Sequence, residues 1–189
     1  MTHNDEEFIL ARISKEVENA FTIANDIEID GVTYNFTERR LSLGFSMILP
    51  KSFDMLAPEY IKLKYPYEDR PHVILSNEKT DTDFAFDYGE TSNTSLAERT
   101  RQYKSVIKRI YPSNVFLQEE IYKVSEEIEV ASYDYRSSAI DADIYNLNFF
   151  TDLPDKEVFG WFTCPAELQE KWEPLVRQMI QTIKVVEEE

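Results

Sequence analysis

Residues 114–164 read NVFLQEEIYKVSEEIEVASYDYRSSAIDADIYNLNFFTDLPDKEVFGWFTC, and the way this stretch divides decides the fold. Four runs rich in β-branched and aromatic residues stand near 114–122, 127–137, 143–151 and 157–164. The links between them are short and polar. One holds Asp141 and Asp143 and another Pro154-Asp155, residue types that stabilise tight bends. A parallel crossover needs roughly a dozen residues or more, so such links make consecutive runs antiparallel neighbours. With helical segments on either side, the expectation is an α+β protein: an antiparallel sheet of about six or seven strands packed by helices.

Working outward toward the N-terminus, Ser95 and Glu98 form a capping box. Leu96, Tyr103, Ile107 and Ile110 follow at helical spacing, which predicts a helix over about 95–110, stopped by Pro112. Residues 73–75 and 82–88, the latter with Phe84, Phe86 and Tyr88 on one face, predict two more strands, and 58–63 a short helix. Leu41, Leu43, Phe45, Met47 and Leu49 alternate with polar or small residues, predicting one strand over 41–49 that Pro50 ends. Ile27 and Ile29 lead into Asp30-Gly31, and Val32, Tyr34 and Phe36 lead out, a hairpin pattern. Asn4 and Glu7 precede a stripe of Leu10, Ile13, Val17, Ala20 and Phe21, predicting an amphipathic helix over 4–21. Residues 1–24 are therefore expected to be a helical extension of one domain spanning 25–189. Toward the C-terminus, Pro165 is expected to open a short helical turn. Pro174 is expected to restart a helix running through Val176, Met179, Ile180 and Ile183 to Glu187-Glu188-Glu189.

Composition narrows the chemistry. At 22.2 kDa, folding should bury about 70% of the unfolded surface, enough for a core without disulfide or metal staples. Twenty Lys and Arg against 36 Asp and Glu leave a net charge of −16. That balance argues against nucleic acid, whose binding is driven by cations displacing counterions from phosphates. No run approaches the roughly 18 apolar residues of a membrane span. The start, Met-Thr-His-Asn-Asp-Glu-Glu, is acidic where a secretory signal is basic. Cys164 is the only cysteine, so no intramolecular disulfide can form. The expectation is a soluble, cytoplasmic protein.

The segment Leu41–Pro50, then Lys64-Tyr65-Pro66, Arg70-Pro71 and Phe84-Ala85-Phe86, resembles a bacterial protein family of uncharacterised function. The run Ile140-Asp141-Ala142-Asp143-Ile144-Tyr145-Asn146 and the ending Phe162-Thr163-Cys164-Pro165 with Trp172 agree with it. The order of elements from residue 41 onward is also similar to the PsbP-like fold. That fold is shared by an extrinsic photosystem subunit, a Ran-binding nuclear import factor, and small bacterial adaptors that chaperone secreted effectors. The resemblance implies a binding role, with another protein as partner, and brings no catalytic residues with it.

Read for chemistry, the residues exclude more than they offer. Gly31, Gly44, Gly89 and Gly160 are too far apart for a phosphate-binding loop. His3, His72 and Cys164 do not make a four-ligand zinc site. No cofactor is expected. Cys164, where a strand runs toward a helix start, is the candidate nucleophile, since a helix N-terminus can activate a thiol. His72 is its candidate base, and the alternative reading of Cys164 is a small core residue. Asp141 and Asp143 are the candidate metal ligands, with a hairpin bend as the alternative. Lys64–Pro71 is stiffened by two prolines and carries Tyr65, Tyr67 and Arg70, the residue types favoured as binding anchors. Arg101, Lys104 and Lys108 share one face of the predicted 95–110 helix, with Arg99 and Arg109 nearby, and form a candidate basic docking face. The expected function is that of a binding or adaptor protein without catalytic activity. The alternatives are an acidic inhibitor or immunity-type protein that neutralises a basic partner, and a thiol-dependent enzyme using Cys164.

Overall fold

The computed structural model describes residues 22–66, 68, 70–139 and 142–186, so the helix predicted over 4–21 lies outside the described residues. The first elements are β1 (Ile27–Ile29) and β2 (Val32–Tyr34), an antiparallel pair. Asp30 (φ 51°) and Gly31 (φ 73°) turn the chain between them. Two successive positive φ angles are what a two-residue type I′ loop demands, and Asp-Gly supplies them at little steric cost.

The strand predicted over 41–49 is instead the second half of a hairpin. β3 (Phe36–Leu41) pairs with β4 (Phe45–Pro50) through Leu41↔Phe45, and Ser42, Leu43 and Gly44 form the loop. Gly44 has φ 80°, the left-handed position that ends a three-residue hairpin loop. The alternation was nonetheless right about burial. Leu41, Leu43, Phe45, Met47 and Leu49 are all buried, Leu43 from the loop itself.

The remaining strands are β5 (Asp54–Met55), β6 (Val73–Ser76), β7 (Asp83–Glu90), β8 (Val115–Lys123), β9 (Glu129–Ser138), β10 (Asp143–Asp152) and β11 (Lys156–Pro165). They form one seven-stranded sheet in the order β5-β6-β7-β11-β10-β9-β8, antiparallel at every pairing. Its four C-terminal strands are the meander read from residues 114–164. Three α-helices accompany it among the described residues: α1 (Pro58–Lys64), α2 (Leu96–Ile110) and α3 (Gln169–Ile180).

Period two divides the sheet into two faces. The inner face sends Phe84, Phe86, Val130, Leu147, Phe149 and Phe162 into one core with α3 and β4. Trp172 of α3 is fully buried there, its ring 4.9 Å from Tyr34, 5.8 Å from Phe53 and 5.5 Å from Phe162. The outer face carries α2 over Ala131, Tyr133 and Phe150, and α1 near Ile74 and Ala85.

The C-terminal region departs from the sequence reading. A 3₁₀ turn at Ala166–Leu168 does follow Pro165, but Pro174 lies inside α3 rather than restarting a helix. Its ring removes one bond, to the carbonyl of Glu170, an exposed residue. The helix stops at Ile180 instead of continuing to the end of the chain. Thr182 Oγ1 donates to Met179 O (2.6 Å) and accepts from Ile48 N (2.8 Å). The chain then extends as β12 (Lys184–Val185), which pairs with β4.

The apolar stripe predicted for α2 is only partly a core stripe. Leu96 is buried, but Tyr103 is 43% and Ile110 58% exposed. Near the start of the helix, polar groups take buried places. Thr100 Oγ1 donates to Leu96 O (2.8 Å). Arg99, expected in an exposed basic row, is 6% exposed and pairs with Asp152 and with Glu157 (3.2 Å).

Candidate functional site

The two outer-face helices do not meet the sheet in the same place. α1 and the residue after it put Ile61 and Tyr65 against Leu56, Ile74, Ala85 and Trp161, on the β6–β7–β11 side. On α2, Tyr103 packs on Phe150 and Phe159, 5.2 Å from each, while Lys104 pairs with Glu119 of β8 (2.5 Å) and lies 5.3 Å from the centre of the Phe116 ring. Tyr103 therefore marks the side of α2 turned toward β11, and Lys104 the side turned toward β8. Val106 and Ile110, three and seven residues after Tyr103, share its side. They are 41% and 58% exposed. Between the two helices the outer face of the sheet carries half-buried Trp161 and Thr163 and buried Asn146 and Asn148.

Beside the end of α1 lies a cleft of about 340 Å³ lined by Tyr65, Pro71, Asp87, Trp161 and Thr163. β11 contributes Trp161 and Thr163, which alternate onto the outer face, and β7 contributes Asp87, opposite Phe159 and diagonal to Trp161. His72 stands across from Asp87; its Nδ1 contacts Asp87 Oδ1, and its ring centre is 4.3 Å from that of Tyr88. Asp87 Oδ1 also accepts from Tyr88 N (2.9 Å). Lys64, the last residue of α1, is held by Asp83 (2.5 Å). Burial, aided by the Asp83 charge, raises the Tyr65 phenol well above its ordinary pKa. Its hydroxyl stays protonated and serves as a neutral polar wall.

The sequence-predicted residues distribute unevenly over this geometry. Tyr65 is in the cleft, and half-buried Arg70 precedes the lining residue Pro71. Tyr67 lies outside the described residues. Cys164 and His72 are not brought together. Cys164 belongs to the inner-face core at 1% exposure, whereas His72 and its partner Asp87 are on the outer side. Burial, with a smaller effect of Asp81, pushes the Cys164 thiol far up, opposite to the activation a nucleophile needs. Asp143 is the first residue of β10 and pairs with Ser138, beside a bend in which Ala139 N donates to Ala142 O (3.1 Å); Asp141 lies outside the described residues. Among the described residues no group of three or more His, Cys, Asp or Glu is placed to hold a metal ion.

The basic face of α2 is divided. Lys104 is engaged by Glu119, Arg101 Nε donates to Ala97 O (3.2 Å), and Lys108 is exposed. All three lie on the side of α2 away from Val106 and Ile110. Trp161, Thr163 and Asp87 were missed in the sequence. The available signal was the run of odd positions Phe159, Trp161 and Thr163, which places an aromatic on the face opposite the core residues Val158 and Phe162.

A larger cleft of about 410 Å³ lies at the other side of α1, among Tyr34, Met55, Tyr60, Asn77 and Lys79. Its polar groups already serve the surrounding loops: Asn77 binds Asp81 (2.7 Å) and Lys79 binds Asp30. No helix among the described residues is long and apolar enough to cross a membrane.

No protein-family model matches the sequence, and no curated protein matches it. Solved structures do. Cyanobacterial PsbP (CyanoP) from Synechocystis sp. PCC 6803 superimposes with a TM-score of 0.61 at 11% identity, covering 85% of this chain and 98% of that one. A Pseudomonas aeruginosa protein of unknown function described as a putative regulator gives 0.49 at 12% identity, over 82% and 98% of the two chains. The immunity protein TplEi of the P. aeruginosa T6SS gives 0.46 at 10% identity, over 93% and 83%. At such identities the likeness is one of backbone architecture. The chain has the PsbP-like fold, an antiparallel sheet packed by helices.

Proposed function

We propose that this is a cytoplasmic binding protein of the adaptor or chaperone type, without catalytic activity, that engages another protein through the outer face of its seven-stranded sheet. The observation that carries the reading is the exposed apolar side of α2. Tyr103, Val106 and Ile110 spend 41–58% of their surface in water. Contiguous exposed apolar surface rimmed by polar groups is the usual mark of a partner site. Aromatic side chains such as Tyr65 and Trp161 are the residues on which binding energy concentrates.

The test pairs capture with variants. Val106→Glu and Ile110→Glu change exposed positions, so thermal stability should stay within about 0.5 kcal/mol of the parent. Each should lose the stoichiometric partner that the parent retains from native cytoplasm. Equal recovery by parent and folded variants, or a measured turnover by the purified protein, overturns the reading.

A second reading, an acidic protein that neutralises a basic partner, draws on the charge distribution. Lys64, Lys79, Arg99, Lys104, Lys156, Arg177 and Lys184 each pair with a carboxylate of the chain itself. The whole chain carries a net charge of −16. Such a field speeds encounter with a basic protein and loses that effect in salt. An association rate falling steeply with ionic strength favours this reading; a salt-insensitive rate favours the apolar adaptor.

A further inference from the structure

We propose that the cleft between Tyr65, Trp161 and Asp87 is a subsite for one basic side chain, Lys or Arg, of the partner, an inference that rests on the outer face being the partner-binding surface. The lining carries the two features that cation recognition requires. Tyr65 and Trp161 belong to one aromatic-apolar cluster and both face the cleft. Indole and phenol rings present negative π-faces that attract ammonium and guanidinium groups. Asp87, diagonal to Trp161 across the β7–β11 pairing, adds a carboxylate to the lining.

Lys64, Asp83 and Lys156, the charges near the cleft with known partners, are engaged elsewhere. Asp83, four residues before Asp87 on β7, is 4% exposed and taken by Lys64 of α1. Asp87 receives on Oδ1 the neutral donor Tyr88 N, and the contact of His72 Nδ1 from the residue just before β6. Lys156 lies 5.7 Å from the centre of the Tyr88 ring, beyond Asp87, and is drawn to Asp155 (3.5 Å). Neither lysine lines the cleft. The volume, about 340 Å³, is near the lower limit of ligand pockets, which run from roughly 300 to 1,000 Å³. It suits the end of one long side chain. Thr163 in the lining adds a hydroxyl that can accept from an ammonium or guanidinium N–H. A chain of net charge −16 also selects basic partners on approach.

The chain contains its own reporter. It has two tryptophans; Trp172 is fully buried in the core, and Trp161 is half-buried in the cleft. Fluorescence of the full-length protein is followed while N-acetyl-arginine amide or N-acetyl-lysine amide is added at constant ionic strength. The expected result is a saturable change with either cation and none with N-acetyl-norleucine amide, which has the aliphatic stem without the charge. Asp87→Asn should weaken the cation response by about tenfold, in line with loss of a charge partner in a partly desolvated site. An equal response to the norleucine amide, a response that never saturates, or a folded Asp87→Asn protein that responds like the parent overturns the inference. The norleucine comparison needs no variant and so stands even if Asp87→Asn fails to fold. Failure here, with partner capture still lost in Val106→Glu and Ile110→Glu, removes the subsite and leaves the binding surface. A saturable cation response without any captured partner does the reverse.

Discussion

Gly160 is the position where one added methyl group should do the most damage. It sits buried in β11 directly opposite Phe149 of β10. A Cβ built there falls within 2.6 Å of three atoms of the Phe149 ring, far inside van der Waals contact. The ring has no room to withdraw: Phe149 is fully buried, and its centre is 6.2 Å from that of Phe86, edge to face. Relief requires either an off-rotamer phenylalanine or a spreading of two central strands. Overpacking of a tight core typically costs about 1–3 kcal/mol, and a clash with three ring atoms belongs at the upper end. For a chain of this length about 3 kcal/mol corresponds to a fall in Tm of roughly 6–12 °C. Urea denaturation of Gly160→Ala measures it directly. The double variant Gly160→Ala/Phe149→Leu separates steric conflict from any general weakness of the strand. Shortening the ring should recover part of the loss, giving a coupling of at least about 1 kcal/mol between the two sites. A Gly160→Ala protein within about 0.5 kcal/mol of the parent refutes the argument from close approach.

Three further outcomes follow from other parts of the molecule. Arg177 Nη2 lies 2.9 Å from Asp134 Oδ2, and Asp134 is completely buried, with Tyr145 Oη (2.8 Å) and Gln118 N (2.6 Å) as its other donors; Arg177→Leu should cost about 3–5 kcal/mol in chemical denaturation, because it strands a buried charge. Arg177→Leu/Asp134→Leu should be milder than Arg177→Leu alone, and the opposite order would disprove that account. Cys164 should resist alkylation near neutral pH and react fully in denaturant; rapid native labelling would revive the thiol-dependent reading. Burial pushes Tyr122 and Tyr135 up to about 12, above the unfolded value of roughly 10. The folded state then holds protons that the unfolded state releases, so stability is intact below about pH 10 and falls as pH rises toward 12. Ultraviolet titration should accordingly show the buried phenols ionising later than the exposed ones, and a single transition near 10 without unfolding would contradict their burial.

What could be read along the chain was set by contacts close in sequence. The meander over 114–164, the Asp30-Gly31 turn and the Ser95 cap, where Ser95 Oγ accepts from Glu98 N (3.3 Å), depend on residues a few positions apart. Their side-chain alternation or backbone demands are therefore visible in a linear string. The antiparallel α+β class follows from link lengths, and Tyr65 from its stiff, aromatic surroundings. The alternation over 41–49 correctly marked buried residues but hid a turn, since Leu43 is buried from a loop as well as it would be from a strand.

Tertiary structure alone decided how far each helix is covered and which residues share a cleft. Tyr103, Val106 and Ile110 have the spacing of core residues, yet 41–58% of their surface is left in water, even though Tyr103 reaches the sheet at Phe150 and Phe159. Arg99 reads as a surface cation and is buried because Asp152 and Glu157 come to it from β10 and β11. The end of α3 depends on an amide of β4, that of Ile48, which lies 134 residues away from Thr182. The cleft draws Tyr65, Asp87 and Trp161 from three separate parts of the chain. Periodicity says which face of an element a side chain occupies; only the packing of distant elements says what, if anything, stands on the other side.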